Sequence, residues 1–362
     1  MTTRWLLLQL LLACGACGRT EMLTAWPEGG GTVGTGGVVA ASGAGGAAGV
    51  LAGTGGKLGP CAGRHTISEF PLPQRRSQPR GIVGGPDGNI WFTLYNYDSI
   101  GRISPSGTIA EFSVLTPGAG PFGIAAGADG NIWFTEVLGH RVGYLTPLGG
   151  VTDHVQVTEL VEMSNAALPK SLTVGPDEQI WFTGYEDDQV ARVTSAGVDV
   201  VQSCGSGGVW VGIAAGPDGN LWLTGQAWNM ICRLSPAGTA TRFPLPGNRG
   251  QPWGITAGPD GAMWFAEYSA SRIGRITMAG VVTERETPTP DSYPISIVAA
   301  GSGALWFTED KANNIGCMTT DGEIVEFPIP TKDSSPEGIT LGPDGNLWFT
   351  EQQGNKIGRI NP

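Results

Sequence analysis

A three-residue word, Trp-Phe-Thr or a close variant, recurs seven times along the 362-residue chain at nearly constant spacing. The intervals between successive copies are 42, 48, 41, 42, 42 and 42 residues. The tryptophans of the seven copies are Trp91, Trp133, Trp181, Trp222, Trp264, Trp306 and Trp348. A period near forty residues is typical of propellers, in which each repeat forms one four-stranded blade. The spacing therefore predicts an all-β, seven-bladed β-propeller.

Each repeat contains the same succession of strand and turn signals. A Gly-Ile-x-x-Gly segment predicts a short first strand near the central axis. Gly-Pro-Asp-Gly predicts a reverse turn, because Pro presets φ and Gly accepts a positive φ. The Asn-Leu-Trp-Phe-Thr segment is apolar at consecutive positions, which favours a second strand buried on both faces between neighbouring blades. Ile-Gly-Arg-Ile then predicts the third strand.

The fourth strand of each predicted blade lies between repeats, for example at residues 107–112 and 322–328. The last repeat has no such segment, because the chain stops at Pro362. A matching segment stands before the first repeat, at residues 67–73. We therefore expect this N-terminal strand to complete the last blade and to close the ring, which removes the open sheet edges of a linear array.

The first 62 residues differ in composition from the repeats. Residues 1–17 contain Arg4 and a short apolar run that ends at Cys14, which predicts a signal peptide. Leu-Leu-Ala before Cys14 resembles a bacterial lipobox, so we expect lipidation at Cys14, with Cys17 or simple secretion as alternatives. Residues 18–62 are rich in Gly, Ala, Ser and Thr and predict a disordered tether. Residues 63–362 form the predicted propeller.

Charge and cysteine content narrow the possible partners and the compartment. The formal net charge of −11 and the scarcity of Lys and Arg argue against nucleic-acid binding. We expect an extracytoplasmic monomer that contacts the membrane only through its lipid anchor. Four of the six cysteines follow the signal region and allow three disulfide connectivities, which the sequence leaves open. These are Cys61, Cys204, Cys232 and Cys317.

Alignment of the repeats reveals two sets of variable positions at the ends of strands that should face the central channel. The first set, which we call the inner ring, follows the Pro (or its equivalent) at the start of each first strand. It comprises Arg80, Phe122, Lys170, Val211, Trp253, Ile295 and Glu337. We predict ligand binding by Arg80, Phe122, Lys170 and Trp253, with solvated rim residues as the alternative reading.

The second set follows the Trp-Phe-Thr word and contains several glutamates. Glu267, Glu309 and Glu351 come from three consecutive repeats, so their carboxylates are predicted to cluster and to bind Mg²⁺ or Ca²⁺. The alternative is that Glu here belongs to the repeat and bonds a backbone amide of a blade-linking loop. The three histidines, His65, His140 and His154, occupy neither set, which argues against a histidine-based triad on this face.

The repeat resembles that of the virginiamycin B lyase (streptogramin lyase) family. The resemblance rests on Pro-x-Gly-Ile-x-x-Gly-Pro-Asp-Gly-Asn-Leu-Trp-Phe-Thr-Glu at 336–351 and on Asn-x-Ile-Gly-Arg-Ile at 355–360. It implies Mg²⁺-dependent opening of type B streptogramins by elimination, with histidines in the last two blades and nearby glutamates. The histidine positions correspond to Ile295 and Glu337, and the metal-side glutamate corresponds to Glu351 or Gln352.

These departures lead to two competing predictions of function. The first is an anchored propeller that binds a small ligand or a surface partner on its channel face. The alternative is a metal-dependent carbon–oxygen lyase or lactonase that acts on a cyclic ester such as a streptogramin, with Glu337 and Glu351 as catalytic residues. A purely structural role is a third reading.

Overall fold

The computed structural model describes residues 60–63, 65–147, 155–160, 168–185, 188–201, 204–205, 209–247, 250–300 and 303–362, with only the backbone of 155–160. The predicted signal peptide, with Cys14, lies outside the described residues, as does nearly all of the predicted tether. None of the described helices is long and apolar enough to cross a membrane.

In the described part of the chain, twenty-eight strands form seven antiparallel four-stranded sheets, which we number as blades 1 to 7. Blade 1 contains β2 (Pro79–Gly84), β3 (Ile90–Leu94), β4 (Ser99–Ile103) and β5 (Ile109–Ser113). Blade 2 contains β6 (Pro121–Ala126), β7 (Ile132–Glu136), β8 (Arg141–Pro147) and β9 (Val155–Leu160). Blade 3 contains β10 (Pro169–Val174), β11 (Ile180–Gly184), β12 (Val190–Thr194) and β13 (Gly197–Val201).

The remaining blades repeat this order. Blade 4 contains β14 (Trp210–Ala215), β15 (Leu221–Gly225), β16 (Met230–Leu234) and β17 (Ala240–Pro244). Blade 5 contains β18 (Pro252–Ala257), β19 (Met263–Glu267), β20 (Arg272–Ile276) and β21 (Val282–Glu286). Blade 6 contains β22 (Pro294–Ala299), β23 (Leu305–Glu309), β24 (Asn314–Met318) and β25 (Ile324–Pro328). Blade 7 contains β26 (Pro336–Leu341), β27 (Leu347–Glu351), β28 (Lys356–Ile360) and β1 (Ile67–Pro71). Two 3-10 turns follow β3 and β19, at Tyr95–Tyr97 and Tyr268–Ala270.

The first strands of the blades contact one another in a complete circuit, from β2 through β6, β10, β14, β18, β22 and β26 back to β2. The prediction of an all-β, seven-bladed propeller is therefore confirmed. The outer strand of blade 7 is β1, which pairs antiparallel with β28, with Ile67 opposite Ile360 and Pro71 opposite Lys356. Blade 7 thus joins the two ends of the described chain.

The second strand of every blade supplies the core on both of its faces. Trp91 of blade 1 packs with Phe134 of blade 2, and the same pairing of Trp with the next blade's Phe or Leu recurs around the ring. This explains the run of apolar residues without alternation. The glycine of the third strand makes room for the phenylalanine ring of the second strand: a Cβ on Gly101 would lie 2.1 Å from Phe92 Cε2.

The threonine of the repeated word links neighbouring blades. Thr350 Oγ1 accepts a hydrogen bond from the Gly338 amide in its own blade and donates to the Arg80 carbonyl of the next blade, at 2.9 and 2.8 Å. The same relay occurs at Thr93, Thr135, Thr183, Thr224 and Thr308. Because each acceptor carbonyl belongs to an inner-ring residue, this threonine fixes the backbone on which the inner ring stands.

In blade 6, the tryptophan of the repeated word has different partners from those in the other blades. In the other six blades, the indole Nε1 donates to an Asp of the preceding turn, as Trp348 does to Asp344 at 3.0 Å. Trp306 has no such partner among the described residues. Instead, the His65 ring packs edge-on against Trp306 at 5.3 Å between ring centroids. The N-terminal segment therefore supplies a contact that the repeat lacks in this blade.

Two disulfides join the four cysteines of the described residues. Cys61 pairs with Cys317 of β24, and their Cα atoms are 5.6 Å apart. Cys317 stands where five of the other six third strands carry Arg. Cys204 pairs with Cys232 of β16. The first disulfide crosses 256 residues and attaches the chain before β1 to blade 6.

Candidate functional site

An irregularity in each first strand directs the inner ring towards the channel. In blade 1, Pro79 pairs with Leu94 whereas Ile82 pairs with Phe92, so β2 has one residue more than β3 over this interval. The same bulge occurs in all seven blades. A β-bulge reorients the side chains beside it. This explains why the second residue of each first strand, which is the inner-ring residue, points away from the pairing with the second strand.

All seven inner-ring residues line one cavity of about 170 Å³ on the channel axis. The four predicted ligand-binding residues, Arg80, Phe122, Lys170 and Trp253, are therefore brought together from blades 1, 2, 3 and 5. Next to them the wall consists of five glycines, two serines and four aliphatic residues, which are Ile82, Ile124, Leu172 and Ile339. The cavity wall thus combines apolar side chains with a small number of charged groups.

A buried ion pair at this cavity joins the neighbouring blades 1 and 7. Arg80 Nη1 donates to both carboxylate oxygens of Glu337, at 2.9 and 3.2 Å, and both side chains are 9% exposed. The guanidinium also lies over the rings of Tyr95 and Phe122, 5.1 and 5.4 Å from their centroids. With its amide oriented so that Oε1 faces the guanidinium, Gln352 accepts from Arg80 Nη2 at 2.7 Å. Glu337 is therefore the partner of Arg80.

Opposing influences act on the Glu337 carboxyl. Burial raises the pKa of Glu337, because desolvation disfavours the charged form, and the Arg80 guanidinium opposes this rise. The negative charge of Asp310 raises the pKa further, whereas Lys170 lowers it. Two cations, Arg80 and Lys170, and two carboxyl groups, Glu337 and Asp310, thus lie close enough together for their charges to affect one another.

Lys170 reaches over the channel among aromatic rings from three blades. Its Nζ lies 4.1 Å from the centroid of Tyr185, 4.6 Å from that of Trp253 and 5.2 Å from that of Phe122. Aromatic faces attract ammonium groups through the ring quadrupole. Because Phe122 contacts both Arg80 and Lys170, the cations and rings form one continuous cluster.

A second layer of residues surrounds the inner ring. Alignment of the repeats singled out the residue immediately before each member of this layer. We call Tyr95, Tyr185, Tyr268, Asp310 and Gln352 the collar; each lies two residues after the last position of the Trp-Phe-Thr word. Tyr268 packs on Trp253 with ring centroids 5.5 Å apart, and Tyr293 packs on Tyr268 at 4.8 Å. Successive side chains on a strand point to opposite faces. The signal that could have found the collar is its variation beside a position that is Glu in four of the seven repeats.

Asp310 is the carboxyl group of the collar. Burial raises the pKa of Asp310, while hydrogen bonds from Ser335 and Tyr268 and the charge of Arg80 favour its ionised form. A carboxyl group can act as a general acid or base where it lies within hydrogen-bond reach of the proton that is transferred.

The predicted metal-binding glutamates lie inside the blades and do not line the cavity. Burial raises the pKa of Glu267 to about 8, that of Glu309 to about 7 and that of Glu351 to about 8. A glutamate of the fourth strand adds to each shift; these neighbours are Glu284, Glu326 and Glu69, respectively. The side chain of Glu309 accepts a hydrogen bond from the Asn314 amide group at 3.1 Å.

A metal ion of this kind requires several oxygen donors that meet at one point. Within the described part of the chain, no three His, Cys, Asp or Glu side chains are grouped so that they could hold one ion. Mg²⁺ or Ca²⁺ binding by Glu267, Glu309 and Glu351 and a catalytic role of Glu351 therefore stay predictions. Neither His65 nor His140 lines the cavity, and His154 lies outside the described residues.

Comparison with solved structures identifies close relatives of this architecture. A streptogramin B lyase is 36% identical, with 82% of this chain and 97% of that chain covered and a TM-score of 0.76. Virginiamycin B lyase from Staphylococcus aureus is 33% identical over 83% of this chain and 100% of its own, with a TM-score of 0.77. A catalytically inactive variant of that enzyme, solved with quinupristin, is 32% identical over the same shares, with a TM-score of 0.77.

Sequence comparison gives the same assignment. No curated protein sequence matches the chain. The model of the virginiamycin B lyase family matches residues 32–198 and 155–362, which together include all seven repeats. The matched segments and the shared seven-bladed ring show that this chain belongs to the virginiamycin B lyase family.

Proposed function

We propose that this propeller binds a small, largely apolar ligand on its channel face and does not open streptogramin rings by the histidine chemistry of its family. The observation that carries the proposal is the convergence of the inner ring on one cavity, with Phe122, Trp253 and Lys170 at its rim. Ligand sites are concave and mostly apolar, with a few polar groups that fix orientation.

The two positions that correspond to the family's histidines support binding rather than elimination. Ile295 has no ionisable group, and Glu337 already accepts two hydrogen bonds from Arg80. A general base needs a free lone pair directed at the proton that it removes. The arrangement of carboxyl groups also does not fit the cation of the family's reaction, because Glu337 is engaged by Arg80 and Glu351 packs near Glu69 and Lys356 inside blade 7.

Asp310 favours a second candidate function, a carbon–oxygen lyase or lactonase with a different base. Its carboxyl lies in the collar, burial raises its pKa, and Tyr268 and Ser335 orient it. In this alternative, Asp310 removes a proton from the ligand while Arg80 and Lys170 stabilise developing negative charge. No step of this candidate passes through a metal ion.

The proposed location is extracytoplasmic, with the propeller held at a membrane through a lipidated Cys14. The two disulfides support an oxidising compartment, because thiols of cytosolic proteins are mostly kept reduced. Such a location would present the channel face to small molecules outside the cytoplasm. The innermost strands contact one another in a complete circuit within one chain, which supports a monomer.

Titration with quinupristin, followed by intrinsic tryptophan fluorescence and by chromatography of the ligand, tests the proposal. We expect saturable binding without conversion of the ligand, with or without Mg²⁺. Trp253→Ala should weaken binding by about tenfold or more, because it removes a central aromatic contact. Trp228→Ala is the matched control, since Trp228 is exposed and does not line the cavity.

Other results would contradict the proposal. Binding that is absent, or that Trp253→Ala leaves unchanged, would rule out the channel face as the site for this class of ligand. Robust conversion of quinupristin that Glu337→Gln abolishes would make Glu337 the base. Conversion that Asp310→Asn abolishes, and Glu337→Gln does not, would establish the second candidate function.

A further inference from the structure

The strand β1 is attached to the propeller in a way that is weak against a pull from its own N-terminal end. It forms the edge of blade 7 and pairs with β28, where Ile67, the first residue of β1, lies opposite Ile360, the last residue of β28. Because the hydrogen bonds of an antiparallel pair run perpendicular to the strands, a pull that separates these adjacent ends breaks the bonds one pair at a time. The ladder alone would therefore open from Ile67 towards Pro71.

Contacts beside the ladder do not change this geometry. The Asn361 side chain accepts a hydrogen bond from the Thr66 amide at 2.6 Å, and the Asn361 carbonyl oxygen lies 2.7 Å from His65 Nδ1. Further along the pair, Lys356 Nζ donates to the Glu69 carboxylate at 2.7 Å. These contacts follow one another along the same two strands, so a pull from the N-terminal side reaches them in turn.

A disulfide attaches the chain to the propeller before β1 begins. Cys61 is bonded to Cys317 of β24, and it lies in a core cluster with Trp306 of blade 6 and Phe349 of blade 7. Unlike β1, the strand β24 has a ladder partner on each side, β23 and β25. The chain that precedes β1 is thus joined covalently to a strand inside a blade.

The same disulfide closes most of the ring covalently. It links positions that are 256 residues apart, and the closed loop contains β1, all of blades 1 to 5 and the first two strands of blade 6. Tension that is applied between the two ends of such a loop passes through the covalent bond and cannot draw out the residues of the loop. A pull on the chain before Cys61 therefore acts on Cys317 and bypasses β1.

We propose that the Cys61–Cys317 disulfide is the point at which the propeller takes up mechanical tension from the 60 residues that precede it. Tension on that segment acts on β24 of blade 6, and β1 stays in place as the closing strand of blade 7. This inference goes beyond the proposed function, because it depends on the path of the chain and not on the channel face. With the propeller held through Cys14, as proposed above, every pull between the membrane and the propeller passes through Cys61.

Single-molecule pulling on the full chain from its two ends tests this path of tension. In Cys61→Ser, we expect a first event at lower force than the first event of the wild-type chain, because β1 detaches from β28. This event should release residues 62–78, which span about 60 Å when extended. The wild-type chain should lack it and should release only residues 318–362, about 160 Å in total.

The second disulfide supplies the matched control. Cys204→Ser removes the bond between Cys204 and Cys232, which lies inside the closed loop, so its pulling record should match that of the wild type. Cys317→Ala removes the first disulfide from its other side and keeps an apolar residue at the buried position, so it should reproduce the record of Cys61→Ser. Wild-type protein that is reduced with a thiol after folding gives the same comparison without any substitution.

Two results would overturn the inference. Release of about 60 Å as the first event of the oxidised wild-type chain would show that β1 bears the tension in spite of the disulfide. A first event at unchanged force in Cys61→Ser, in Cys317→Ala and in the reduced wild type would show that the attachment of β1 to β28 is not the weaker one.

Discussion

The Glu337 carboxyl illustrates how one position changes its role through its partner. A carboxylate alone at this depth would carry a large desolvation cost, and Arg80, 257 residues away in sequence, offsets it with two hydrogen bonds. Breaking a buried pair by removing one partner typically costs about 3–5 kcal/mol, because a charge is left uncompensated. Arg80 and Glu337 therefore act as one unit that fixes blades 1 and 7 at the cavity.

The buried glutamates at the ends of the second strands make stability depend on pH. The pKa of Glu351 in the folded chain is about 8, above its ordinary value of 4.5, so the folded state binds more protons than the unfolded state between these values. Its contribution is fully present below pH 4.5 and is lost as the pH rises through 8. Glu267 and Glu309, with pKa values of about 8 and 7, act in the same direction.

We predict that Glu351→Gln flattens this dependence, because the amide resembles the protonated carboxyl. The free energy of unfolding of the wild-type chain should decline between pH 5 and pH 9, and the variant should lose about 1–3 kcal/mol of that decline. Denaturant titrations across this range measure it. Glu323→Gln, at an exposed position, serves as the control and should leave the profile unchanged. A wild-type profile that rises towards pH 9 would contradict the pKa shifts.

The inner ring could be predicted from the sequence, but the partners of its residues could not. Alignment of the repeats identified Arg80 and Glu337 as variable positions, because their neighbours repeat. It could not reveal that the two side chains meet, since a closed ring makes blades 1 and 7 neighbours but does not specify the side-chain directions that bring Arg80 onto Glu337. The collar was missed for a local reason: the glutamates at positions such as 351 face the blade interior, so the next residue, such as Gln352, faces the cavity.

At the scale of elements, blade 6 is the place where the N-terminal segment replaces parts of the repeat. Cys317 stands where Arg359 stands in blade 7, and His65 packs on Trp306 and Phe327 with centroid distances of 5.3 and 4.7 Å. Nothing in the repeat pattern predicts this contact, because the segment that makes it precedes the repeats. The Cys61–Cys317 disulfide thus holds β1 from one side, while its pairing with β28 holds it from the other.

Successive N-terminal truncations should separate these two attachments. A chain that begins at residue 60 keeps both, one that begins at residue 63 lacks the disulfide, and one that begins at residue 75 also lacks β1. We predict cooperative unfolding of the first two, with the second less stable by about 2–4 kcal/mol under oxidising conditions and equally stable after reduction. The third should be much less stable, because β28 loses its ladder partner and becomes an open edge.

Equal stability of the chains that begin at residues 63 and 75 would refute the role of β1 in closing blade 7. A difference between the chains that begin at residues 60 and 63 that persists after reduction would assign the first effect to packing rather than to the disulfide. Calorimetric or denaturant unfolding of the three proteins, with and without a thiol reductant, measures both effects.

At the scale of the whole molecule, architecture and function separate clearly. The threonine relay, the Trp and Phe core and the turn aspartates recur from blade to blade and build a nearly symmetric ring. The cavity at its axis is asymmetric, because every blade contributes a different inner-ring side chain. A symmetric scaffold with one asymmetric face is suited to holding one ligand, and the fold alone does not specify which.

The last prediction concerns how the propeller is held in place. Ala13 supplies the small residue before the cleavage site, so we expect Cys14 to become the lipidated N-terminus. Cys14→Ser should therefore shift the protein from the membrane to the soluble extracytoplasmic fraction, whereas Cys17→Ser should leave it on the membrane. Fractionation and mass spectrometry of the N-terminal peptide measure the two outcomes. Because the propeller does not include either residue, both variants should keep the same unfolding profile. Acyl chains on the Cys14→Ser variant as well as on the Cys17→Ser variant would rule out anchoring at Cys14. The absence of acyl chains from the wild-type protein and both variants would rule it out too.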